Sequence, residues 1–209
     1  MRNPLAAIKS AAYFLGKKQG DFVGSSGKRM LAIIDSSITH ADKIINDLLD
    51  YSEELSLDFK KYDPRTILDV VLSKAIIPEN IKLLCQAKNE PTLCIDPTKI
   101  ERAFLNIIKN AVDAMPNGGA LKVRSQADPE NVDFIFSDTG KGIPPQVMTK
   151  LFTPLFTTKA KGMGFGLAIS KRIIEAHGGK ISLTSKIEEG TTVIVSLPIR
   201  QKESQEFFS

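Results

Sequence analysis

The stretch "NVDFIFSDTGKGIP" puts Val132, Phe134, Phe136 and Asp138 on one face of an alternating strand, so a carboxylate points where three hydrophobes point. Such a group needs a partner, and an exocyclic amine such as that of adenine would satisfy it. Gly140 and Gly142 then allow a tight turn and a close approach to a ligand, with Ile143 closing the segment. Taken alone, the same residues also read as a strand ending in a D-T-G turn.

A second group lies in "IERAFLNIIKNAVDAM", where Asn106 and Asn110 sit four apart beside the apolar stripe Ile100, Phe104, Ile107 and Ala111. A carboxamide oxygen can ligate Mg²⁺ held by phosphates. The competing reading is an amide pair that satisfies a neighbouring loop. Third, "LFTPLFTTKAKGMGFGLAIS" runs a glycine-rich stretch straight into a helix. Gly162, Gly164 and Gly166 free backbone N–H groups to face an anion, and the helix dipole adds to them. Thr157, Thr158, Lys159 and Lys161 supply hydroxyls and positive charge suited to a triphosphate. The segment has the composition of a mobile lid.

These groups must be positioned by elements of two kinds. In residues 28 to 56, Leu31, Ile34, Ile38, Ala41, Ile45 and Leu48 repeat at three and four, a heptad seam, and Leu5, Ile8, Ala12 and Leu15 repeat the beat. Two antiparallel helices joined by "KKQGDFVGSSGK" follow from this. One hairpin buries only part of two narrow stripes, so the expectation is a homodimer that completes a four-helix bundle through residues 1–56. From residue 57 to 200, strands at "IKLLCQAK", "ALKVRSQA", "NVDFIFSD", "KISLTSKI" and "TTVIVSLP" alternate with helices near 65 to 75, 97 to 115 and 164 to 177. The expected fold is α+β, a two-layer sandwich with a mostly antiparallel or mixed sheet. Residues 201–209 read as a polar, frayed tail.

Composition narrows the partners. The net charge of +4 is mild and its basic residues are scattered, which argues against a nucleic-acid surface. No apolar run is long enough to span a membrane. Cys85 and Cys94 show no metal or disulfide spacing and are expected to be buried thiols in a reducing cytoplasm.

Taken in order, the motifs resemble the catalytic core of sensor histidine kinases, whose ATP-binding domain is shared with DNA gyrase, the Hsp90 chaperones and the MutL proteins. Asn106 and Asn110 resemble the family's N box, "DTGKGIP" its G1 box, "LFTPLFTTK" its F box, "KGMGFGLAIS" its G2 box and "GTTVIVSLP" its closing strand. The resemblance implies ATP and Mg²⁺ as cofactors. It makes Asn110 the Mg²⁺ ligand, Asn106 its phosphate-side neighbour and Asp138 the reader of adenine. Gly140 and Gly142 would shape the base pocket, and Gly162, Gly164, Gly166 and Leu167 would wrap the phosphates. Lys159, Phe152 and Phe156 would position the lid, and either Thr191 or Thr192 would help hold adenine through water. Where many relatives carry an acid or Gln this chain has Arg102, and Glu101 lies about 100° around the helix from that position.

"RNPLAAI" resembles the downstream part of the H box, in which the phosphate-accepting His lies four residues before Asn3. On that pattern the acceptor is absent from this chain, and Asn3 stands where the family orients water for dephosphorylating a regulator. His40 falls on a solvent-facing heptad position, and His177 in "EAHGG" falls at a helix end, where an imidazole favours the C-terminal dipole. The implied activity is transfer of the ATP γ-phosphoryl group to a histidine and then to an aspartate of a response-regulator receiver domain. Two other readings remain: a catalytically inactive, dimeric nucleotide-binding module that docks a regulator or partner kinase, and a serine kinase of the same superfamily.

Overall fold

A computed structural model describes residues 2–18, 24–52, 55–87, 90–157 and 164–199. The chain forms two compact units, Met1–Glu53 and Glu54–Ser209.

The first unit packs α1 (Arg2–Lys18) against α2 (Gly24–Ser52). Helix α2 begins at Gly24, inside the stretch expected to be the connector. Once a helix is nucleated, each added residue gains a hydrogen bond, so Ser and Gly at its start are tolerated. Ile38 is the buried point of the seam, at 4% exposure. Ile8, Leu15, Ile34 and Leu48 of the same seam remain 39% to 50% exposed. The side chain of His40 lies outside the described residues, as does that of Asn3.

The second unit is a two-layer sandwich. Its main sheet has the order β2-β4-β5-β7-β6, built from β2 (Ile81–Gln86), β4 (Gly119–Ala127), β5 (Asn131–Asp138), β6 (Lys180–Lys186) and β7 (Gly190–Pro198). Only the β2–β4 pairing is parallel. A separate antiparallel pair joins β1 (Lys60–Tyr62) to β3 (Leu93–Ile95), two strands too short to leave an alternating pattern in the sequence. Over the sheet lie α3 (Pro64–Lys74), α4 (Pro97–Asp113) and α6 (Gly166–Ala176), with one short turn, α5 (Pro145–Met148).

The helix starts follow from local chemistry. Asp63 and Asp96 each stand before a proline, which accepts the first helical position because it needs no N–H bond there. The Asp63 carboxylate accepts from the Thr66 N–H, and that of Asp96 from those of Thr98 and Lys99. Val132, Phe134 and Phe136 are buried as the alternation predicts, and the Phe104 ring meets those of Phe134 and Phe136 at 4.9 and 5.1 Å.

The cysteines depart from expectation. Cys85 is exposed and Cys94 half-buried. Strand β2 is the sheet's edge and only Ile81 on it is buried, so "IKLLC" covers less core than its hydrophobicity suggests.

Candidate functional site

A cavity of about 380 Å³ opens between α4, the end of β5 and the loop that follows it, β6 and β7. Its apolar wall is Ile107, Phe136, Ile143, Leu167, Leu183 and Val193, and its polar lining includes Asn110, Asp113, Asp138, Lys141, Glu188 and Thr191.

Asp138 is held by two backbone N–H groups. Its Oδ1 accepts the Gly140 N–H at 2.8 Å and the Thr191 N–H at 3.3 Å. Its Oδ2 has no partner among the described residues, and the side chain borders the cavity. Burial pushes its carboxyl above the usual value, and the two backbone N–H bonds only partly offset that. The result is a half-satisfied acceptor on the wall of a mostly apolar cavity, suited to a ligand N–H.

The two threonines separate by face. Thr191 stands opposite Asp138 across the β5–β7 ladder and lines the cavity, 7% exposed. Thr192 points the other way and bonds the Ser137 hydroxyl at 2.9 Å.

The asparagines separate too. Asn110 lines the cavity, whereas the Asn106 amide donates to the Gly166 carbonyl at 3.4 Å and so props the start of α6. Glu101, five residues before Asn106, is engaged by the Lys74 ammonium at 2.7 and 2.9 Å.

Gly140 and Gly142 each have a close protein neighbour where a side chain would lie. A Cβ on Gly140 would lie 2.6 Å from the Ala114 carbonyl oxygen, and one on Gly142, at φ +68°, 2.1 Å from that of Lys186. Their packing brings the loop down onto α4 and β6, and Gly142 reaches the cavity wall. At the other end no side chain caps α6 among the described residues, and Leu167 in its first turn lines the cavity. Such a helix start offers N–H groups to an anion. Phe152 lies beside the Lys171 ammonium, 5.7 Å from its ring centre, and does not line the cavity. Thr158, Lys159, Lys161 and Gly162 fall outside the described residues.

Residues 95–201 match the profile of the histidine kinase-, DNA gyrase B-, and HSP90-like ATPases. The chain belongs to this family. Residues 1–55 match the His Kinase A (phospho-acceptor) domain, so the chain pairs the two domains of a sensor histidine kinase core. Sensor histidine kinase ZraS of Escherichia coli is 28% identical over 95% of this chain and 43% of its own length. Sporulation kinase A of Bacillus subtilis is 30% identical over 95% of this chain and 33% of its own. The chain thus spans less than half the length of these curated relatives. Among solved structures, full-length ShkA in complex with AMPPNP shares the fold at a TM-score of 0.80 and 22% identity, over 96% of this chain and 44% of that one. Histidine kinase ThkA in complex with the response regulator protein TrrA matches at a TM-score of 0.70 and 25% identity, over 97% and 62%.

Within this ATPase fold, several cavity residues had not been singled out from the sequence. Lys141 lies inside "DTGKGIP" and Asp113 inside "IERAFLNIIKNAVDAM", but Glu188 and the Ser185 hydroxyl behind Thr191 carry no motif that sequence spacing could have flagged. His177 stands at the end of α6, as the sequence indicated, but it is fully buried, and burial holds its imidazole below the usual pKa.

Proposed function

We propose that the cavity binds ATP, with the adenine amine donating to Asp138 Oδ2 and the phosphates directed toward the start of α6. The observation that carries this reading is the Asp138 carboxylate, anchored through one oxygen and open through the other on the wall of a mostly apolar cavity. Thr191 supports it as the nearer of the two candidate threonines. On the family's pattern Thr158, Lys159, Gly162, Gly164, Gly166 and Leu167 surround the phosphates, and Lys159 neutralises their charge.

Asn110 fits a Mg²⁺ site of modest protein contribution. Its carboxamide offers a hard oxygen at the cavity wall, and no cluster of three His, Cys, Asp or Glu suited to a metal occurs among the described residues. The remaining ligands of such an ion are phosphate and water. When bound, the ion would neutralise charge on the phosphates.

The reaction we propose is attack of a histidine nitrogen on the γ-phosphorus, with cleavage of the bond to the ADP oxygen and departure of ADP. The phosphoryl group then passes to an aspartate of a response-regulator receiver domain. The protein's part is positioning and charge neutralisation. The exposed apolar residues of α1 and α2 support a homodimer formed through residues 1–56.

Calorimetric titration with ATP and Mg²⁺ tests the binding, and saturable heat at one site per chain is expected. Transfer of labelled γ-phosphate to a separately supplied helical hairpin that carries a His-Glu H box tests the chemistry. Acid-labile label on that hairpin is expected. Binding without transfer would leave only the nucleotide-binding interaction module.

A further inference from the structure

Behind the cavity, the Ser185 hydroxyl has three neighbours. Its oxygen lies 2.9 Å from the Ile143 backbone nitrogen, 2.8 Å from the Gly190 carbonyl oxygen and 2.9 Å from Thr191 Oγ1. A serine hydroxyl has one proton to give and two lone pairs to accept with. The Ile143 N–H can only donate and the Gly190 carbonyl can only accept, so Ser185 accepts the first bond and donates the second. Its one proton is then spent, and the bond to Thr191 can form only if Thr191 is the donor. That assignment satisfies Ser185 completely. The reverse would leave two oxygen lone pairs facing each other 2.8 Å apart at Gly190.

The consequence lies in the cavity. With its proton turned back to Ser185, the Thr191 hydroxyl can offer only lone pairs to a ligand or a bound water. The same end of the cavity already holds the open Asp138 Oδ2.

We propose that Ser185 is a positioning residue for ligand selection: by drawing the Thr191 proton away from the cavity, it fixes the inner end as a row of acceptors that favours a 6-aminopurine over a 6-oxopurine. An amine at position 6 can donate directly to such a row. A carbonyl there, as in guanine or hypoxanthine, meets acceptor against acceptor, and an unmatched buried polar group is costly. This rests on the nucleotide reading of the cavity. It goes beyond that reading by naming a residue that touches no ligand and acts through Thr191. Ser185 also pins the Ile143 backbone, so the same hydroxyl sets the position of the loop wall and the polarity of the cavity's end.

The test measures ADP and GDP binding by calorimetry for the wild type, Ser185→Ala, Thr191→Val and the double variant. In Ser185→Ala the Thr191 hydroxyl is free to rotate its proton into the cavity, so the ADP-to-GDP affinity ratio is expected to fall about tenfold. In the Thr191→Val background the same change should move the ratio by less than about twofold, because the group Ser185 acts through is gone. An unchanged ratio in Ser185→Ala, with both affinities lowered alike, would overturn the proposal by reducing Ser185 to a structural prop. An equal fall in the Thr191→Val background would overturn it as well. Should Ser185→Ala melt at the assay temperature, Ser185→Cys keeps the side chain's shape with a weaker donor and acceptor, and the same comparison applies. Failure of the underlying reading looks different: the wild type would bind neither nucleotide.

Discussion

The Asp96 backbone N–H donates to Nε2 of His177 across 2.9 Å, joining the start of α4 to the end of α6. Because Nε2 accepts, the ring proton sits on Nδ1, which lies 2.7 Å from the Ile173 carbonyl oxygen. The Asp96 carboxylate also accepts the Asp58 N–H at 3.0 Å, and the Phe59 ring meets the His177 ring edge-on at 5.3 Å. One buried imidazole therefore fastens both helices and the strand approaching β1.

This joint makes stability depend on pH. Burial holds folded His177 neutral, with a pKa below the ordinary 6.5. As pH falls below that value the unfolded chain takes up a proton that the folded chain refuses, so stability drops until the lowered folded pKa is reached. Burial works against ionised Asp96, but the N–H bonds from Asp58, Lys99 and Thr98 prevail and lower its pKa, so its contribution is lost only at pH below about 3.8. Thermal melts from pH 7.5 to 5 should show a falling Tm. His177→Gln should be less stable at pH 7 by about 1–3 kcal/mol, with a flatter profile between pH 7 and 5. A wild-type Tm that does not change over this range would refute the neutral, buried assignment.

Asp138 titrates in the opposite sense. Its folded pKa is raised by burial, so the ionised carboxylate costs stability above that pKa, and the cost vanishes as pH falls below the ordinary 3.8. Asp138→Asn keeps an acceptor for the Gly140 and Thr191 N–H groups and removes the charge. It should fold with an equal or higher Tm while ATP affinity falls at least about tenfold, since an amide N–H replaces the open acceptor. Equal ATP affinity in the variant and the wild type would count against Asp138 as the adenine reader.

Two glycines should behave differently. A Cβ on Gly190, at φ +103°, would lie 1.9 Å from the Asp138 carbonyl oxygen, so Gly190→Ala should cost on the order of 2–4 kcal/mol in denaturant melts. At Gly166 the nearest atom among the described residues is 3.8 Å away, and the site is helical. Gly166→Ala should keep or raise the Tm, and a weakened ATP affinity there would then report on the phosphates rather than on folding.

The helical hairpin carries the dimer prediction. Ile34 and Leu48 are seam residues left 39% and 47% exposed. Ile34→Glu combined with Leu48→Glu should give a monomeric mass by light scattering where the unmodified chain gives a dimeric one. Nucleotide affinity of the second unit should be unchanged. A monomeric mass for the unmodified chain at micromolar concentration would defeat the idea.

Removing the metal should lower ATP affinity in the wild type. In Asn110→Ala the affinities with Mg²⁺ and with a chelator should converge, because the protein's own ligand to the ion is gone. A full Mg²⁺ dependence in that variant would remove Asn110 from the metal's shell.

Much of this protein is local in origin, and that part was legible in the sequence. The period-two run from Val132 to Asp138 specified a strand with a buried carboxylate, because alternation alone decides which face each side chain takes. The stripe of α4, the three-and-four seam of α2 and the glycines after Asp138 were visible for the same reason: each depends on residues a few positions apart. Tertiary structure decided what depends on a distant partner. It placed Thr191 rather than Thr192 at the cavity, because strand register brings Thr191 opposite Asp138. It gave Asn106 to the Gly166 carbonyl, left Cys85 on an edge and buried His177 against Asp96, 81 residues away. It also set the Ser185 hydroxyl among the Ile143 N–H, the Gly190 carbonyl and the Thr191 hydroxyl. Such hydrogen-bond directions depend on which donors and acceptors meet after folding, and the order of residues along the chain does not state that.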